Sequence, residues 1–434
     1  MSLLADRVLD NETGIVRWVS EIPIEPGEPQ IFNFSAKMCD SSRCFPMGCY
    51  DSNGGAGLSR EAAYRAALGE AVERYCCSIF FPDELVFGSQ NEVSRRMRAL
   101  HPDEVALFHP TQRDKIRYAW FRTETPLCWT PGYSLTRREE ILIPACMVFV
   151  PYFPFRLREG EMTVAPGIST GQACALARGG AMLGGIYEIV ERDAFMIAWL
   201  NRLSLPQIVI DTGDQVGPVF RERFDRPNLT YSLFDMTTDI AIPSVACMVV
   251  DHSYDPPMVC FGGASNLDPQ RAALKALIEA AQTREWAKFM GKRSEPAVVS
   301  YDYSDIHDFE NHVFLYAYAD MEEALSFLNE STRKVSFSDL TDRSSGEVGK
   351  DLKLAMGEIE LKGYEICGID LTTPDVLDCG YHVVKMFIPK LQAMEGEHSH
   401  RLLGGTRLYE VPTRLGYPIH REITDLNPYP HPYP

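Results

Sequence analysis

The 434-residue sequence lacks an apolar run long enough to cross a bilayer: its best stretch, residues 141–155, is short and holds three prolines. A secretory start is missing too, because MSLLADRVLDNE carries Asp6, Arg7 and Asp10 where such a segment needs an uninterrupted apolar core. A cytoplasmic protein with no membrane span is expected. Positive charge is scarce: 42 Lys and Arg face 60 Asp and Glu, a net charge of −18, so no nucleic-acid partner is expected and only a local basic pocket is left room for. Cys39, Cys44 and Cys49 lack the CxxC knuckle of structural zinc. Other cysteines, such as Cys146, Cys247 and Cys260, sit singly in apolar runs as small core residues, and the adjacent Cys76 and Cys77 point to different sides of a helix.

What is present is ordinary globular composition, 45% apolar and 24% charged. β-Branched runs at 208–210, 246–251 and 382–389 alternate with amphipathic helical stretches, which predicts a mixed α/β (α+β) fold. Strand-like alternation around 15–20 and 31–34, broken by a Pro/Gly-rich interruption at 23–29, reads as a lead-in segment over 1–46 ahead of one domain over 47–434. The polar stretches 338–349 and 395–400 read as exposed loops.

A weak internal repeat is the most informative feature. SREAAYRAALGEAVERY from Ser59, ARGGAMLGGIYEIVERD from Ala177 and DPQRAALKALIEAAQTR from Asp268 each follow a glycine-containing turn. Each places a Glu eleven residues after its first residue, at Glu70, Glu188 and Glu279, and three residues on come Glu73, Glu191 and Gln282. Ser59, and Asp268 followed by Pro269, are good helix starts.

Residues three and four apart share a helix face, so Glu70, Glu73 and Arg74 project together, as do Glu188, Glu191 and Arg192. A lone ExxER is ordinarily a solvated, salt-bridged face. Here the neighbours are largely apolar, and buried acids need a cation or hydrogen-bond donors. The motif also occurs twice, and four converging carboxylates repel unless a divalent ion neutralises them; hard oxygen ligands favour Mg2+, and Mg2+ points to a nucleotide.

These segments, in this order, together with the closing LNPYPHPYP, resemble the signature stretches of the YcaO family. The resemblance implies a YcaO-type fold with mixed sheets and three related helix motifs lining a nucleotide cleft. It implies an ATP- and Mg2+-dependent cyclodehydratase of the kind that matures bacteriocin-type ribosomal peptides: a Cys, Ser or Thr side chain attacks the preceding amide, ATP phosphorylates the amide oxygen, and loss of phosphate leaves an azoline. By that likeness Glu70, Glu73, Glu188 and Glu191 hold Mg2+; Arg74, Arg192, Glu279 and Gln282 complete the nucleotide site, with Arg284 near the phosphates. Partners implied are a precursor peptide, an E1-like leader-binding protein and a flavin-dependent azoline dehydrogenase, and a homodimer is compatible with it.

The sequence departs from the family pattern at Ala66 and Ala173, where Ser is common, and at Gly180 and Gly184, where family members often carry side chains that touch the nucleotide. Gly179, Gly180, Gly184 and Gly185 disfavour a helix by about 1 kcal/mol each relative to alanine, so either that helix starts late or something packs closely on it. A scaffold subunit without ATP turnover, and amide activation towards thioamide or amidine, stand as alternatives.

Prolines 428, 430, 432 and 434 alternate with Tyr429, His431 and Tyr433, which sets an extended polyproline geometry. Alone this reads as a frayed end or a docking ligand. By the resemblance it enters the active site, making the Pro434 carboxylate a functional group and His431 a proton carrier. His398 and His400 lack helical metal spacing and are assigned no metal.

Overall fold

The structure is a computed structural model and describes residues 6–43, 45, 47–153, 158–292, 300–418 and 422–434. The lead-in forms strands β1 (Val16–Ile22) and β2 (Phe32–Met38), which pair antiparallel with each other and with β3 (Ser52–Gly57). The lead-in thus shares one sheet with the first glycine-rich turn, which is itself a strand. A second sheet runs β4 (Val86–Gly88), β5 (Leu127–Ser134), β13 (Cys367–Asp370), β14 (His382–Phe387) and β7 (Gln172–Ala175), with β6 (Glu139–Pro144) on β5. The third runs β11 (Met258–Ser265), β10 (Ser244–Asp251), β9 (Leu229–Asp235), β8 (Gln207–Ile208) and β12 (Lys334–Val335), antiparallel except for the parallel β8–β12 edge. The mixed α/β expectation holds.

The three repeat segments are the helices α1 (Arg60–Cys77), α2 (Arg178–Leu200) and α3 (Pro269–Gly291). Ser59 accepts from the Ala62 amide at 3.2 Å and Asp268 from the Gln270 amide at 2.9 Å, so both helices start where their caps set them. α2 has no side-chain cap, yet it begins at Arg178 and includes all four glycines. It does not start late.

Close packing is the reason for one of those glycines. A Cβ on Gly185 would lie 2.6 Å from Gly171 O and 2.9 Å from Met386 Cγ. The same approach recurs in the other repeats with the glycine on the strand: a Cβ on Gly55 would meet Ala67 N at 2.1 Å, and one on Gly262 would meet Ala280 N at 2.3 Å. Ala67, Gly185 and Ala276 each stand three residues before the repeat's Glu, so every helix presses its small residue onto a glycine backbone one turn ahead of its acid. Gly180 and Gly184 have another surrounding: they face the methyls of Ala175 and Ala173 on β7, at 3.3 and 3.5 Å from a hypothetical Cβ. Two bare helix positions therefore look across at two alanines.

Apolar residues collect into several clusters on these layers. One lies between α1 and the first two sheets, one behind α3 and the third sheet, and one around the C-terminal half of α2, where Phe195, Trp199, Tyr316 and Tyr433 are buried. Cys76, Cys77, Cys146, Cys247 and Cys260 are buried packing residues; Cys44 lies outside the described residues. No helix among the described residues is long and apolar enough to cross a membrane.

Candidate nucleotide and tail site

The repeats bring their acids together. Glu73 and Glu191 are buried, and Glu188 sits between them: its charge is felt by Glu73 on one side and by Glu191 on the other. Glu279 joins from α3, where burial and then the Glu191 charge raise it to about 7. Burial, followed by the Glu70 charge, pushes Glu73 well above the usual carboxylate range.

Glycine amides hold two acids in place. Gly171 N–H, just before β7, donates to Glu188 Oε2 at 2.8 Å and Gly263 N–H, in β11, to Glu279 Oε2 at 3.0 Å, so a glycine amide holds the acid in both repeats. Gly171 has φ +87°, which glycine adopts without strain.

Glu70, Glu73, Glu188 and Glu191, expected to hold Mg2+, come near one another, and three of them already have close partners within the chain. Glu70 closes on Arg74 at 2.7 Å, Glu188 on Arg192 at 3.3 Å and Glu191 on Tyr433. The cause is local: each ExxER helix carries its own arginine four residues after its first acid, and i,i+4 pairing neutralises that acid. Among the described residues no three His, Cys, Asp or Glu side chains gather as a metal-holding group. The residues nonetheless fit a Mg2+–phosphate guest. The oxygen donors are hard carboxylates, Glu73 has only a 3.7 Å contact with Arg74, and the buried Arg192 Nε has no hydrogen-bond partner.

Two cations missed in the sequence stand at this site. Lys275 is exposed in the cleft, and although enclosure lowers it, Glu191, Glu279 and Glu188 hold its ammonium above the usual lysine value. Lys275 precedes Glu279 by four residues, a same-face signal that was legible in the sequence. Lys385 on β14 is buried, donates to Ile168 O and Thr170 O at 2.7 and 2.9 Å, and is pulled down to about 8 by burial. It fastens the loop whose Gly171 amide binds Glu188.

Arg284 is not brought to the acids. It is buried, and its guanidinium pairs with Asp251 (Nε–Oδ2 2.8 Å), Glu28 (2.6 Å) and Glu285 (2.8 Å). Five residues beyond Glu279 is about 140° further round the helix, so the two side chains leave on different faces. Gln282, three residues from Glu279, instead stands against Gly54 of β3, where its Nε2 would be 3.2 Å from a Cβ.

The tail is buried and enters the site. Carbonyls of three consecutive residues are met by core donors: Trp199 Nε1 donates to Tyr429 O (3.2 Å), Tyr316 Oη to Pro430 O (2.6 Å) and His312 Nδ1 to His431 O (2.7 Å). Prolines 428, 430, 432 and 434 have no N–H, so alternate residues need only an acceptor's partner, which is how an irregular strand is buried at little polar cost. His431 stacks on His312 with centroids 3.9 Å apart and donates from Nε2 to Glu395 O at 2.7 Å. Burial, then the His312 charge, drive His431 well below the usual histidine range. It is held neutral. Tyr433 packs on Phe195 at 4.3 Å between centroids and donates from Oη to Glu191 Oε1 at 2.5 Å. Pro434 follows it, partly buried.

Residues 395–400 are not the exposed loop expected. Glu395 and His398 are buried because the tail lies over them, and burial raises Glu395 to about 7 and lowers His398 to about 3.

Residues 54–392 match the family model described as YcaO cyclodehydratase, ATP- and Mg2+-binding. An uncharacterized protein of Methanothermobacter thermautotrophicus is 26% identical over 347 residues, 78% of this chain and 81% of the relative. A heterocyclase solved with substrate and cofactor superposes with a TM-score of 0.76 at 24% identity, covering 98% of this chain. The chain spans 56% of that heterocyclase's length. YcaO from Methanopyrus kandleri, solved with AMPPCP and Mg2+, gives 0.63 at 19% identity over 87% of this chain and 86% of that one. The repeated acid-bearing helices, the glycine amides that hold two of their acids and the match across most of its length place this chain in the YcaO family.

Proposed function

We propose that the chain is an ATP- and Mg2+-dependent cyclodehydratase subunit that turns Cys, Ser or Thr residues of a ribosomal precursor peptide into azolines. The observation that carries the reading is the meeting of Glu70, Glu73, Glu188, Glu191 and Glu279 with the cations Arg74, Arg192 and Lys275 beside a buried proline tail. Mg2+–ATP, when bound, supplies the electrophilic phosphorus that converts an amide oxygen into a leaving group. Glu70, Glu73, Glu188 and Glu191 would hold the ion, with the arginines turning from their acids to phosphate oxygens. Lys275 and Arg192 would face the phosphates, where positioning and cationic charge are what phosphoryl transfer needs. Arg284 belongs to the support of α3 rather than to this step.

A role for the tail in proton transfer is assigned to the Pro434 carboxylate, since His431 is fixed by both its ring nitrogens and its carbonyl. The peptide is expected to arrive on an E1-like partner, with a flavin-dependent dehydrogenase oxidising azoline to azole. One observation favours a second reading: Gly180 and Gly184 present bare backbone opposite Ala173 and Ala175, which suits a subunit that scaffolds without turnover.

Phosphate release from Mg2+–ATP, measured with the partner and a Cys/Ser-containing precursor, separates the two. Turnover matched by loss of water from the peptide, abolished in Glu191→Gln and in a chain lacking its last five residues, supports the enzyme. Neither signal from a complex that binds precursor leaves the scaffold.

A further inference from the structure

The tail takes one oxygen of a proposed metal ligand. Tyr433 Oη donates to Glu191 Oε1, and the hydroxyl's position is fixed by three independent features. Its ring lies on Phe195, its backbone N–H donates to His431 Nδ1 at 3.3 Å, and its oxygen sits against Gly263, where a Cβ would come within 1.8 Å. The Gly263 amide meanwhile holds Glu279. One glycine thus supports the acid of the third repeat and leaves room for the donor to the acid of the second.

A carboxylate held at one oxygen has its rotation restrained and leaves its other oxygen for a further partner. Donors behind a ligand commonly orient it and tune its affinity in this way. A phenylalanine would fill the same slot without giving Glu191 a donor. We propose that Tyr433 is a positioning residue whose hydroxyl orients Glu191 for a divalent cation, so that docking of the tail and binding of the metal–nucleotide strengthen one another. The proposal rests on the reading that Glu191 ligates the ion. Because such coupling is reciprocal, the ion tightens the tail by the same factor as the tail tightens the ion.

The test uses the full chain with Mn2+ as the probe and a non-hydrolysable ATP analogue, with Mn2+ affinity followed by electron paramagnetic resonance. Tyr433→Phe is expected to weaken Mn2+ by about 10- to 100-fold while melting as wild type does. Gly263→Ala, which keeps the tyrosine but displaces its hydroxyl, is expected to weaken Mn2+ likewise. Unchanged or tighter Mn2+ binding in Tyr433→Phe, with Glu191→Gln losing the ion, overturns the positioning role and leaves the metal site standing. Full Mn2+ binding by Glu191→Gln overturns the metal site itself, and this proposal with it.

Discussion

Gly263 and Tyr433 occupy one space: the phenol oxygen of the tail lies 1.8 Å from where a side chain at position 263 would begin. Replacing Gly263 by alanine is therefore expected to expel the end of the tail from its slot. Limited carboxypeptidase digestion should release tail residues several-fold faster from Gly263→Ala than from wild type.

The glycines of α2 divide into two kinds. Gly185→Ala puts a Cβ 2.6 Å from Gly171 O and is expected to destabilise by about 1–3 kcal/mol through overpacking. Gly184→Ala, whose Cβ would stand 3.5 Å from a methyl, is expected to be tolerated, and to stabilise by up to about 1 kcal/mol through helix propensity. Denaturant titration of the two variants gives opposite signs if this division is right.

Arg284 is buried with Asp251 and Glu28, and Lys288 also pairs with Glu28. Arg284→Met leaves the buried Asp251 carboxylate without its cation, and breaking a buried pair of this kind costs about 3–5 kcal/mol. The expected outcome is a large fall in melting temperature, with Mn2+ affinity retained at temperatures where the variant is folded.

Glu395 gives a pH dependence of definite sign. Burial raises its carboxyl to about 7 in the folded chain, above its unfolded value, so its protonated form is the one the fold favours. That contribution is full below the unfolded value near 4.5 and is lost as pH rises through about 7, a change of roughly 3 kcal/mol. The neighbouring His312 and His398, lowered from 6.5 to about 4 and about 3 by burial, act oppositely, adding stability as pH rises towards 6.5, so the Glu395 contribution is read as the difference between wild type and a Glu395 variant. Glu395→Gln should flatten the loss of stability between pH 5 and 8, in thermal melts at stepped pH.

Much of this was legible in the sequence, for identifiable reasons. Glu70, Glu188 and Glu279 were found because equal spacing within equal helices survives any tertiary detail, and Ser59 and Asp268 because capping is local chemistry. Arg284 was set near the phosphates by the family resemblance alone, whereas the helix turns it away from Glu279 to Asp251 and Glu28. Burial of residues 395–400 was hidden because their cover arrives from 36 residues downstream, where Glu395 O meets His431. Tyr433 was overlooked since nothing local distinguishes a tail tyrosine that finds an acid on α2 from one that finds water.

The alternating prolines also determine what the tail is unable to do. An extended segment that comes loose normally exposes a row of amide donors and can recruit another strand. With donors missing at 428, 430, 432 and 434, this one has no continuous ladder to offer, even if it swings out to admit a peptide. Displaced from its slot, the tail would leave no edge for a second chain to pair with.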